Sequence, residues 1–105
     1  MTFTKGEVET ETDEYYIKVS EYSNSMLYNG IITIHKYATN KVNANQLNTF
    51  IRKNLGGVIL DQSDDKTNIS IKFYAPRKKR ELEDIVREIE REMADKFDLG
   101  LRWHA

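Results

Sequence analysis

Apolar residues recur along this chain first at a period of two and then at helical spacing, and the cycle is completed twice. Residues 15 to 22 place Tyr15, Ile17 and Val19 on one face and Tyr16, Lys18, Ser20 and Tyr22 on the other, the signature of a half-buried strand. Asn24, Ser25, Asn29 and Gly30 predict a turn, and Ile31 to Tyr37 a second β-branched strand, so the two form a hairpin. Asn43 then predicts a helix N-cap, with Gln46 three residues on as in a capping box. Leu47, Phe50, Ile51 and Leu55 follow at helical spacing, and Gly56-Gly57 supplies a left-handed stop.

The second cycle repeats the order. Val58, Ile59 and Leu60 predict a brief strand, Gln62 to Asn68 a polar turn, and Ile69, Ile71 and Phe73 alternate with Ser70, Lys72 and Tyr74. Pro76 pre-sets the backbone for a helix start. Leu82, Ile85, Val86, Ile89, Met93 and Phe97 form the apolar stripe of that helix. Glu83 with Arg87, and Glu92 with Lys96, stand at the favourable i, i+4 spacing on its charged side.

Strand, strand, helix, repeated, predicts an α+β domain: a four- to five-stranded antiparallel sheet with two helices packed on one face. The letters echo as well, since Ile32 to Ala38 aligns with Ile69 to Ala75. A β-β-α duplication is one reading of that echo; the other is that any two half-buried strands share alternating Ile. Leu99, Leu101 and Trp103 alternate in the tail and could add a fifth strand, with Trp103 either folding onto the core or entering a partner.

Composition bounds this picture. A chain of 105 residues supports one core, so residues 15 to 105 are expected to form one domain, preceded by an acidic arm or edge strand over residues 1 to 14. Apolar residues at 39% suffice for a packed interior. The absence of Cys excludes disulfides, thiolate metal sites and a cysteine nucleophile. No basic leader or membrane-length apolar run is visible, and a cytoplasmic location without membrane contact is the expectation.

The net charge of −1 conceals a polarity, because Glu7, Glu9, Glu11, Asp13 and Glu14 stand against Lys5 alone in the arm. The remainder is mildly basic, yet the whole lacks the field of a general nucleic-acid binder. With Ile17, Val19, Ile32, Ile34, Val58, Leu60, Ile69, Ile71 and Phe73 turned to the helices, alternation exposes Tyr16, Lys18, Tyr22, Thr33, His35, Tyr37, Lys72 and Tyr74 on the open face of the sheet. Such a face suits a protein partner, a second copy of the chain, or stacked single-stranded bases, and it is also ordinary strand surface. Arg77, Lys78, Lys79 and Arg80 are expected in the first helical turn, where they would oppose the dipole and could meet phosphate or acidic protein. Trp103 completes the candidate contact residues.

Catalytic signals are weak. His35 and His104 are far apart, no Gly-rich loop follows a strand, and Asp61, Asp64 and Asp65 lack the glycine and closing Glu of a calcium loop. No catalytic, cofactor or metal residues are predicted. The expectation is a non-enzymatic module that binds protein, with self-association into a homodimer included, and single-stranded nucleic acid is the alternative.

Overall fold

The computed structural model describes residues 2–4, 6–21, 26–39, 43–97 and Leu99. In chain order these form β1 (Thr2–Thr4), β2 (Glu7–Glu11), β3 (Tyr15–Glu21), β4 (Leu27–His35), α1 (Ala44–Asn54), β5 (Val58–Asp64), β6 (Asn68–Pro76) and α2 (Leu82–Phe97). All pairings are antiparallel, in the order β1-β2-β3-β4-β6-β5. The α+β architecture is the one the sequence predicts. Five strands have five to nine residues, and the three-residue β1 extends the sheet beyond β2.

The acidic arm supplies β2, an internal strand between β1 and β3. Its Val8 and Thr10 are buried while Glu7, Glu9 and Glu11 lie on the other side, so alternation converts an acidic run into a one-sided strand. One face of the sheet carries the core: Val8, Tyr15, Ile17, Val19, Ile32, Ile34, Ile69, Ile71 and Phe73 are all buried. From α1, Leu47, Phe50 and Ile51 pack on it, and the whole expected stripe of α2 is buried. Each such side chain contributes roughly 1.5–3 kcal/mol of transfer free energy.

Local chemistry explains the helix ends. Asn43 Oδ1 accepts from the Gln46 N–H at 2.9 Å, and Gln46 Oε1 accepts from the Asn43 N–H at 2.9 Å, which closes the predicted capping box. Gly56 takes φ +67° after the last turn, a conformation that glycine adopts without steric penalty. On α2, Glu83 reaches Arg87 at 4.0 Å, whereas Lys96 lies 3.8 Å from its neighbour Asp95.

Several expectations need correction, among them the polar turn from Gln62, since β5 continues to Asp64. β4 begins at Leu27 and ends at His35, so Gly30 is a strand residue instead of a turn residue, and Tyr37 lies in the turn beyond the strand. The reason is steric: a Cβ at Gly30 would stand 2.3 Å from Phe73 Cζ, so glycine is what lets that ring lie across β4. Phe73 in turn meets the buried Tyr28 edge-on, with centroids 5.9 Å apart. Pro76 closes β6 and does not open α2, which starts at Leu82. Arg77 to Arg80 therefore precede the helix, and Glu83 and Asp84 occupy its first turn, where the dipole favours acids.

Val58 and Leu60 do not face the helices. Val58 pairs with Tyr74 on the open face, Ile59 turns inward against the core, and the register shifts between Ile59 and Asp61 so that Leu60 bulges. Val58 and Leu60 remain 47% and 56% exposed.

The two hairpins, β3-β4 and β5-β6, meet along β4 and β6, the arrangement a duplicated unit would give. The letter echo and the strand ends are nevertheless out of step: Ile32 aligns with Ile69, whereas the paired strands begin at Leu27 and Asn68. The proposed strand of the tail, with Leu101 and Trp103, lies outside the described residues. Leu99 is buried, and its N–H donates to Met93 O at 3.1 Å.

Candidate interaction surface

Strand register assembles the open face in rows. Across the middle run Glu9, Lys18, Ile31, Lys72 and Asp61, base inside and acid at both margins. To one side lie Glu11, Tyr16, Thr33, Ser70 and Ser63; to the other, Glu7, Ser20, Asn29, Tyr74 and Val58. Beyond that last row, Leu27 pairs with Pro76.

The first end is polar and internally bonded. The Tyr16 hydroxyl donates to Glu9 Oε2 at 2.7 Å, and the Thr33 and Ser70 hydroxyls lie 3.1 Å apart. Burial, and then the hydrogen bond to Glu9, push the Tyr16 phenol up to about 12. His35 Nδ1 bonds Asn68 Oδ1 at 2.7 Å, and the imidazole stacks on the exposed Tyr37 ring at 5.8 Å and 11°. Lys18 is 3.5 Å from Glu7. These contacts use the polar atoms within the face.

The opposite end is polar on β2 and β3, with Glu7 and Ser20, and becomes apolar toward β6 and β5. Leu27, Tyr74, Pro76 and Val58 lie together there by register, and Met26, just before β4, is 72% exposed. Sequence alternation places Tyr74 but not its neighbours, because the segment around Leu27 has turn composition, Pro76 suits a helix start and Val58 suits a core strand. The one usable signal was that three consecutive apolar residues, Val58 to Leu60, cannot all face inward from a single strand.

The expected basic cluster is divided. Arg77 pairs with Glu21 at 2.5 Å and lies 3.8 Å from Glu81, while Arg80 pairs with Glu88. Arg77 Nε also donates to Arg80 O at 3.1 Å, which folds the loop on itself. Lys78 and Lys79 are the exposed members, with Lys78 held at φ +60°. Thus Tyr16, Lys18, His35, Lys72 and Tyr74 share the open face, Tyr37 sits at its margin, and Arg77 to Arg80 stand beyond its apolar end. Tyr22 and Trp103 lie outside the described residues.

The Asp-rich turn is structural. Asp65 Oδ1 accepts from the backbone N–H groups of Asn68 and Thr67, each at 2.8 Å, and these bonds hold its carboxyl below the ordinary carboxylate range. Among the described residues no cluster of three or more His, Asp or Glu side chains has metal-holding geometry. A cleft between the helices brings Asn45, Gln46 and Thr49 of α1 near Glu92 and Lys96 of α2. Among the described residues no helix is long and apolar enough to cross a membrane. No protein-family model, curated protein or solved structure matches the chain.

Proposed function

We propose that this chain is a non-enzymatic protein-binding module that uses the open face of its sheet, with the contact centred on the apolar end of that face. The observation that carries the reading is the grouping of Leu27, Tyr74, Pro76 and Val58 on one side of three adjacent strands, next to the exposed Met26. A contiguous apolar patch with a tyrosine and a polar surround has the composition of an interface centre. Charge favours protein over nucleic acid as the partner. Lys18 and Lys72 are flanked on the same face by Glu7, Glu9, Glu11 and Asp61, and two of the four loop cations are engaged in ion pairs.

Crosslinking capture from source lysate, with and without nuclease, tests this. The reading expects a protein captured by the wild type in the presence of nuclease, retained by Tyr16→Ser and lost with Tyr74→Glu or Val58→Lys. Capture that Tyr74→Glu leaves intact contradicts the assignment to this face. Salt-sensitive binding of labelled single-stranded oligonucleotides, weakened by Tyr74→Ala, would favour the nucleic-acid reading instead.

A further inference from the structure

The strand β6 carries Lys72, Tyr74 and Pro76 in succession on the open face, at intervals of about 6.6 Å. Leu27 stands opposite Pro76, and Val58 opposite Tyr74. Past Pro76 the Arg77 N–H donates to Met26 O at 2.9 Å, which keeps the start of the loop beside Met26, and Lys78 and Lys79 follow, both exposed. The apolar residues therefore lie between one lysine and two others. None of these three lysines forms an ion pair among the described residues, whereas Arg77 is held by Glu21 and Glu81, and Arg80 by Glu88. Asp61, the register partner of Lys72, is likewise without an ion pair there. One such acid stands beside three such cations.

We infer that the partner of this face is an acidic protein segment, a short stretch of apolar residues with Asp or Glu on both sides. The inference rests on the protein-binding reading and adds the chemistry of the partner. The apolar residues of the segment lie on Tyr74, Pro76, Leu27 and Val58, while its flanking carboxylates meet Lys72 at one end and Lys78 and Lys79 at the other. Exposed cations at the rim of an apolar contact select the partner and steer its approach more than they add affinity. A broad anionic surface fits less well. Glu7, Glu9 and Glu11 line the β2 margin of the same face, so an anionic bilayer laid on the sheet would press against them. A single segment running along β6 stays three strand spacings away from that margin, about 14 Å.

Selection from a random library of short displayed peptides, against the wild type and in parallel against Tyr74→Glu, is the test. The expected winners carry acid on both sides of an apolar core and are not recovered with Tyr74→Glu. A synthetic peptide of the winning sequence should bind about tenfold more weakly to a variant combining Lys72→Gln, Lys78→Gly and Lys79→Gln, and more weakly as salt rises from about 0.05 to 0.5 M. Lys78 takes φ +60°, so glycine there removes the charge without backbone strain, and lost binding is not lost folding. Lys66→Gln, in the turn between β5 and β6, removes a like charge away from the patch and should leave binding unchanged. Winners without acidic flanks, or winners that bind the triple variant as well as the wild type, overturn the inference; if they still need Tyr74, the protein-binding face stands. Winners indifferent to Tyr74→Glu overturn both. No winners at all also overturns the inference, and cosedimentation with phosphatidylserine vesicles that the triple variant loses would then assign the lysines to a membrane surface.

Discussion

The strands β3 and β5 hold matching positions, each the outer strand of its hairpin, yet one is enclosed and the other open. Strand β2 covers β3 along its length, and Tyr15, Ile17 and Val19 are buried. Among the described residues no strand pairs with the outer edge of β5, whose apolar Val58 and Leu60 stay exposed and whose ladder to β6 is broken by a bulge. Two strands of similar apolar content therefore do different work: β3 belongs to the interior and β5 to the surface. The acidic residues of β2 are the means of enclosure, since their alternation with Val8 and Thr10 lets one edge be closed while its solvent face stays charged.

The strongest way to break this comparison is to truncate one apolar side chain on each strand. Ile17→Ala on β3 should cost about 2–5 kcal/mol, whereas Leu60→Ala on β5 should change monomer stability by no more than about 0.5 kcal/mol. Urea unfolding at low micromolar concentration measures both. Equal costs would mean that β5 is as much core as β3.

A smaller effect separates two buried tyrosines of the first hairpin. The Tyr15 hydroxyl donates to Glu90 Oε2 at 2.7 Å and ties β3 to α2, while the Tyr28 hydroxyl has no hydrogen-bond partner among the described residues. Tyr15→Phe should cost about 1 kcal/mol, and Tyr28→Phe should be neutral within about 0.5 kcal/mol, by the same unfolding measurement.

The contrast between the strands also marks how far the sequence could be read. Period-two and helical patterns located both hairpins and both helices, and the capping box at Asn43 and Gln46 formed as predicted. What escaped was decided by contacts between distant residues. Gly30 looks like a turn until Phe73, brought in by β6, needs the space of its missing Cβ. Pro76 is compatible with a strand end as much as a helix start, and only its pairing with Leu27 distinguishes them. For Val58 to Leu60, three apolar residues in succession leave the phase undefined, and the bulge settles it. Alternation therefore found Tyr16, Lys18, Lys72 and Tyr74 on the open face, and it missed the apolar company of Tyr74.

Titration should sharpen the difference further, with opposite signs at the two strands. Burial and then the Glu90 hydrogen bond raise the Tyr15 phenol, and burial with the Glu9 bond raises Tyr16 to about 12. A phenol raised in the folded state stabilises fully below the ordinary tyrosine value and loses that contribution as pH climbs toward the folded value. The β3 side should thus loosen between about pH 10 and 12, followed by phenolate absorbance. At the end of β5 the sign reverses: the Asp65 carboxyl is lowered by its bonds from Asn68 and Thr67, so its contribution is present above the ordinary carboxylate value and fades as pH falls. The Thr67 and Asn68 amide resonances should report that loss below about pH 4.

Amide hydrogen exchange on β3 and β5, compared at low micromolar and near-millimolar protein, tests the central claim most directly. An enclosed β3 should be protected equally at both concentrations. The open β5 should exchange faster than β3 at both concentrations. Protection of β5 equal to that of β3 in dilute protein would contradict the account.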